Sequence, residues 1–292
     1  MTGAGCAVHV LRGAPCTLHR ALGTLHPALS TLHPALSTLH AAVAPLHPAL
    51  CTLHSALCAL HLLKEPRGRR RGAIRIDDAV LRAAALSAPR ESRDEMAGPS
   101  YLHPNPLVRW LFWKRLDVVA GFLSAHGVRH ASGLDFGCGI GVQLPTLSAT
   151  TDLVYATDLV MAPGRYVASR LGLRNVAFVE PNRLSSLPPL DYVVSTDVLE
   201  HVRDLEATVR RFGGALRPGG MLVVSGPTEN AFYRIGRTVA GFGRTGKYHQ
   251  TDITGVHDAV ARDRAGFRVV AHRVLPLPRV VEAFHIYAYT RP

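Results

Sequence analysis

At 292 residues, 47% of them hydrophobic, the chain is long enough to bury a sizeable core in one large domain or two small ones. No apolar run reaches the roughly 18 residues that a membrane-crossing helix needs, the best candidate, 107–123, being broken by Arg109, Lys114, Arg115 and Asp117. A formal charge of +12 suggests a nucleic-acid partner at first sight, but only Lys64, Lys114 and Lys247 of the 33 basic residues are lysines, and an excess of Arg, Ala, Gly and Pro is what GC-rich coding produces whatever the partner. The N-terminus lacks the basic, apolar and cleavage-site order of a secretory signal. Cys6, Cys16, Cys51, Cys58 and Cys138 are too irregularly spaced for a disulfide or zinc framework, so a reducing cytoplasm is the expected location.

Residues 18–61 repeat every seven positions, as in LHPALSTLHPALST, with His19, His26, His33, His40, His47, His54 and His61 in register. The apolar spacing imitates a coiled-coil seam, but Pro27, Pro34, Pro45 and Pro48 would each cost about 3 kcal/mol inside a helix. Histidines seven apart on a helix lie about 10 Å from one another, too far to share one zinc ion. The segment reads as disordered low-complexity chain. The next methionine after Met1 is Met96, so residues 1–95 are expected to be either a disordered or irregular extension or a stretch read from repetitive DNA that is not part of the native protein. Within them 62–95, with the RGRRRG run and the ESRDE cluster, reads as linker, and truncation to Met96 is expected to leave ligand binding intact.

From Met96 to the end, 96–292, the pattern is that of one folded domain. NPLVRWLFWKRLDVVAGFLSAHG reads as a helix. Then come strand 132–136, helix 142–149, strand 153–157, helix 164–172, strands 175–180 and 190–196, helix 203–216 and strand 220–225. A helix near 252–265 and strands near 267–274 and 284–290 complete the chain. This alternation predicts an α/β fold with a doubly wound, mainly parallel sheet that binds ligands beyond the carboxyl ends of its strands.

The chemistry-bearing stretch is GLDFGCGIGVQLP. A strand ending at Asp135 and Phe136 runs into Gly137, Cys138, Gly139, Ile140 and Gly141, so bare backbone can approach a ligand. A dinucleotide fingerprint needs G-x-G-x-x-G, whereas Val142 occupies its last glycine position here, which disfavours a nicotinamide cofactor. Asp158, 17 residues beyond Gly141, ends the next strand and can accept from both hydroxyls of a ribose. An aspartate that merely caps the following helix is the blander alternative. The cluster Trp110, Leu111, Phe112 and Trp113 cannot all face one side of a helix, so it either roofs a site or remains partly exposed.

LDFGCGIG, the acid in ATDLV, DYVVSTDVLEHV and LRPGGMLVVSGP resemble, in order and spacing, successive motifs of the class I S-adenosylmethionine-dependent methyltransferases. They are similar above all to the branch that includes the ubiquinone-pathway O-methyltransferases. The resemblance runs over about 130–290 and implies a seven-stranded Rossmann-like sheet with an antiparallel last strand, with S-adenosyl-L-methionine as cofactor. It places Gly137, Gly139 and Gly141 against the methionine portion, Asp135 near its amino end and Asp158 at the ribose, with Cys138, Leu159, Thr196 and Asp197 also among the cofactor-binding residues. Where these enzymes carry an aspartate for the adenine amino group, this chain has Asn182 followed by Arg183, and Asn accepts without charge assistance. If STDVLEHVRD is helical, Asp197, Glu200, His201 and Asp204 share one face. In some relatives such an arrangement accompanies a divalent metal, for which Asp197, Glu200 and His201 are the candidates here, yet the favoured reading has Glu200 and His201 only cap and orient the cofactor pocket while Asp204 is solvated.

Residues 226–251 are longer than a routine connection and are expected to cover a methyl acceptor. Tyr233, Tyr248, His249 and His257 are the polar groups on hand, with His249 the candidate base for an acceptor hydroxyl. The acceptor is expected to be a small, partly apolar, lipid-like molecule methylated on oxygen. A nucleic-acid methyltransferase is the chief rival, disfavoured because STDVLE lacks the Asn/Asp-Pro-Pro-aromatic turn of base-amino methylases. A non-catalytic protein that binds a partner through its repeats is the second.

Overall fold

The computed structural model describes residues 72–93, 98–239 and 250–292, all of them within one unit, Gly68–Pro292. Helix α1 (Asp78–Leu86) is capped by Asp77, whose side chain accepts from the amide of Ala79. A 3-10 turn (Arg90–Ser92) and the short α2 (Gly98–Tyr101) lead to the long α3 (Pro106–Ala125), where Asn105 caps and Pro106 sits in the first turn, both favourable at a helix start.

The linker expected over 62–95 is corrected by this arrangement for residues 72–93. Ala73, Ile76, Leu81 and Ala84 are buried in a cluster with Tyr101, Trp113, Leu116, Ile140, Val142 and Val167. The strap is also tied by polar contacts. The amide of Ala73 donates to Asp117, that of Ile74 to the Thr146 hydroxyl, and Arg75 pairs with Asp117 at 3.0 Å while lying over the Trp113 ring. The charged residues of this segment hid a short amphipathic helix whose apolar partners lie far along the chain.

Among the described residues the sheet has seven strands, in the order β3-β2-β1-β4-β5-β7-β6. They are β1 (Ser132–Phe136), β2 (Leu153–Thr157), β3 (Val176–Phe178), β4 (Leu190–Thr196), β5 (Leu216–Pro227), β6 (Arg268–Leu277) and β7 (Val281–Thr290). The first five pair in parallel and β7 runs antiparallel to both β5 and β6. The remaining helices are α4 (Leu144–Thr150), α5 (Ala162–Arg170), α6 (Leu205–Ala215), α7 (Ala231–Val239) and α8 (Ile253–Arg262).

Alternation along the central strands divides the core. Tyr192 and Val194 of β4 join α3 and α4 residues such as Val119, Leu123 and Leu144. Val193, between them, faces Val209 and Phe212 of α6 and Val256 and Val260 of α8. Among the described residues no helix is long and apolar enough to cross a membrane.

Three local departures stand out. Residues expected to open the helix at 142 form a turn instead, with Gly141 donating to Cys138 and Leu144 to Gly141, so α4 starts at Leu144. β5 begins earlier than 220, because Leu216 pairs with Leu190 before a register shift. Helix α7 was unread inside the segment expected as an acceptor cover.

Candidate active site

The turn after β1 is fixed to the end of β2: the amides of Gly137 and Cys138 both donate to the carbonyl of Thr157, at 2.9 and 3.0 Å. Gly137, Gly139 and Gly141 all have left-handed φ, of 78°, 51° and 81°, which explains glycine at each. At two of them the fold supplies a further reason. A Cβ on Gly137 would lie 2.1 Å from Val198, and one on Gly141 would press on Leu144 and on the backbone of Gly164. The missing side chains at 137 and 141 thus make room for the protein's own Val198 and α5 as well as shaping the turn.

Parallel pairing carries Asp135, Asp158, Thr196 and Asp197 to the carboxyl ends of three adjacent strands, since Asp135 registers with Ala156 on one side and Val194 on the other. The Asp158 carboxylate accepts from the amide of Gly139 at 2.8 Å and from that of Val160 at 3.0 Å, so it braces the glycine turn. Leu159 beside it is 94% exposed, an unusual position for a leucine. Asp135 is buried, its Oδ2 has no partner, and burial, then the charge of Asp158, pushes its carboxyl up to about 7. Burial also raises the Cys138 thiol, which packs inward. Asn182 and Arg183 are exposed on a 3-10 helix (Pro181–Ser186) after β3.

Asp197 adopts a left-handed φ of 56°, donates its amide to Ser225, and pairs through its carboxylate with Arg115. Arg115 is 1% exposed, lies against the rings of both Phe112 and Phe284, and donates to the Tyr101 hydroxyl at 3.2 Å. The helical face that Asp197, Glu200, His201 and Asp204 would share if STDVLEHVRD were helical does not form, because the positive φ at 197 breaks it and only Leu199–His201 makes a 3-10 turn. Glu200 is buried, its carboxyl raised by burial and by Asp197; His201 is exposed; Asp204 caps α6 by accepting from Ala207. Among the described residues no three His, Cys, Asp or Glu side chains gather as metal ligands.

His257 is engaged in packing, its Nδ1 2.8 Å from the Tyr289 hydroxyl and its ring stacked on Tyr287. Tyr233 meets Phe284 edge-on at 5.4 Å, and Phe284 meets Phe112 likewise, forming an aromatic wall. Tyr248 and His249 lie outside the described residues.

Two residues escaped the sequence reading. Gln143, in the turn after the glycines, is buried with neither side-chain Oε1 nor Nε2 partnered, and the Nε of Arg115 is equally unpartnered. Asp135 Oδ2, Asp197 Oδ1 and the hydroxyls of Thr157, Ser195 and Ser225 belong to the same set. A buried polar atom without a partner costs about 1–3 kcal/mol, so this concentration of orphans along the carboxyl edge of the sheet is what a site prepared for a polar ligand looks like.

A family model described as a methyltransferase domain matches residues 70–272. The chain belongs to this family. The methyltransferase is 33% identical over 136 residues to a ubiquinone biosynthesis O-methyltransferase of Xylella fastidiosa, an alignment covering 44% of this chain and 50% of that protein. A protein of the same description from Xanthomonas oryzae is 34% identical over 119 residues, covering 38% of this chain and 48% of its own. The methyltransferase thus spans about half the length of these curated relatives. In fold it is similar to the N-methyltransferase NodS of Bradyrhizobium japonicum, solved with S-adenosyl-L-homocysteine, at a TM-score of 0.51 and 16% identity, covering 74% of this chain and 100% of that one.

Proposed function

We propose that this methyltransferase takes its methyl group from S-adenosyl-L-methionine and delivers it to a hydroxyl of a small, partly apolar acceptor. The observation that carries the donor assignment is the set of orphaned buried polar atoms beside the glycine turn, with Asp135 Oδ2 as acceptor and Arg115 Nε and Gln143 Nε2 as donors. An amino-acid zwitterion needs that combination: an oxygen for its ammonium and N–H groups for its carboxylate. Asp158 is assigned the ribose hydroxyls, Leu159 the face of the purine ring and Asn182 with Arg183 its rim. Gly137, Cys138, Gly139 and Gly141 line the floor, with Thr196 and Asp197 on the far side.

When bound, the sulfonium supplies an electrophilic methyl group. The chain's own contribution is alignment and exclusion of water, from a donor held at both ends and an acceptor laid against Phe112 and Tyr233, which the buried Phe284 backs. Asp197 is held by Arg115 at the edge of that wall, where Arg115 lies against both Phe112 and Phe284. Oxygen as the acceptor atom is supported by the O-methyltransferase relatives. His249 keeps its place as the proton acceptor on sequence grounds alone.

The test is to incubate the full chain with methyl-labelled S-adenosyl-L-methionine and a panel of hydroxylated apolar small molecules beside total RNA, then locate the label by mass. Label on the oxygen of a small molecule supports the reading. Label confined to RNA, or to nitrogen or carbon atoms, sinks it.

A further inference from the structure

Away from the glycine turn, α6 and α8 lie side by side on one face of the sheet and flank a half-open cleft of about 760 Å³. Small side chains open it: Gly255 and Ala259, one turn apart on α8, line the cavity. Its rim carries Arg203 and Arg210 from the α6 side and Arg262 and Arg264 from the α8 side, together with Asp204, Glu206 and Asp263. Two of those three carboxylates are occupied by backbone, Asp204 by the amide of Ala207 and Asp263 by that of Ala265. Of the four guanidinium groups only Arg262 has an ion-pair partner among the described residues, the exposed Asp258 at 3.2 Å.

We infer that this cleft is a binding site for a compact, phosphate-bearing ligand of nucleotide size. A guanidinium presents paired N–H donors that match two phosphate oxygens at once, and the four exposed arginines lining the cleft outnumber its three carboxylates, which favours a phosphate-bearing anion. The volume falls within the range of small-molecule sites. The three acidic residues on the rim interrupt the positive surface, which favours a localised ligand over an extended nucleic-acid track. The inference stands apart from the methyl-transfer reading, because none of these residues belongs to the donor site.

The experiment is calorimetric titration of the full chain with inorganic tripolyphosphate and, separately, with a single-stranded RNA oligomer. The expected result is saturable one-to-one binding of tripolyphosphate, weakened about tenfold or more in an Arg210→Gln, Arg264→Gln double variant. An Arg268→Gln, Arg273→Gln double variant, which removes the same charge from exposed positions on β6, retains it. Unchanged affinity for S-adenosyl-L-homocysteine in the first double variant keeps this test separate from the donor site. No saturable binding, equal weakening by both double variants, or tighter binding of RNA with a steep salt dependence overturns the inference.

Discussion

The carboxylate of Asp158, at the end of β2, accepts a hydrogen bond from the amide of Gly139, in the turn after β1, at 2.8 Å. The side chain thus braces the glycine turn, and in the proposed reading its remaining lone pairs serve the ribose hydroxyls. Asp158→Ala is expected to weaken S-adenosyl-L-homocysteine binding by about one to two orders of magnitude. It should also lower the thermal midpoint of the ligand-free protein, because the Gly139 and Val160 amides lose their acceptor. Calorimetry and a melting curve on the same preparation check both, and unchanged affinity would remove the ribose role.

Arg115 is buried with its guanidinium shared between Asp197 and Tyr101. Arg115→Leu leaves Asp197 without its counter-charge and should cost about 3–5 kcal/mol of stability by urea unfolding. Adding Asp197→Asn should recover part of that loss, whereas Arg115→Lys should not restore wild-type stability, since an ammonium cannot reproduce the planar fork. A loss below about 1 kcal/mol for Arg115→Leu contradicts the pairing.

The buried carboxyl of Asp135 titrates at about 7, against an ordinary value of 3.8. Its folded value is raised, so the native state holds a proton that the unfolded chain has already released. The stability this group contributes is fully present below about pH 4 and is lost as pH rises through about 7. The ammonium of the ligand needs the ionised form, so affinity runs the other way. S-adenosyl-L-homocysteine should bind more tightly at about pH 8 than at about pH 6, and Asp135→Asn should flatten that dependence while raising ligand-free stability at the higher pH. A pH-independent affinity in the wild type counts against the ammonium contact.

Removing residues 1–95 strips Ile76, Leu81 and Ala84 from the cluster that contains Ile140 and Val142 of the glycine turn. Each fully buried aliphatic side chain of the size of Leu81 or Ile76 contributes about 1.5–3 kcal/mol. A chain starting at Met96 should therefore be markedly less stable and bind the donor more weakly than one starting at Gly68. Equal melting midpoints for the two truncations would show that the strap is dispensable.

How far the fold was legible follows from where the signal lay. β1, β2 and β4 were read to the residue because apolar runs end there against glycine, aspartate or a turn. The stretch from Asp197 to Asp204 has helical spacing, which left a shared helical face open, while the positive φ of Asp197 and the cap at Asp204 that decide against it come from tertiary context. Arg115 and Gln143 were passed over for a related reason: a polar residue in an apolar stretch looks solvent-facing until the fold shows it buried. The strap of 72–93 was lost among charges, its four core contacts being with residues distant in sequence.

The most direct measurement is the crystal structure of the full chain with S-adenosyl-L-homocysteine. The ligand should lie over the glycine turn with its ammonium on Asp135, its carboxylate within reach of Arg115 Nε and Gln143, and its ribose on Asp158. A ligand seated elsewhere, or one whose amino-acid end avoids Asp135 and Gln143, would contradict the assignment of those buried polar atoms to the methyl donor.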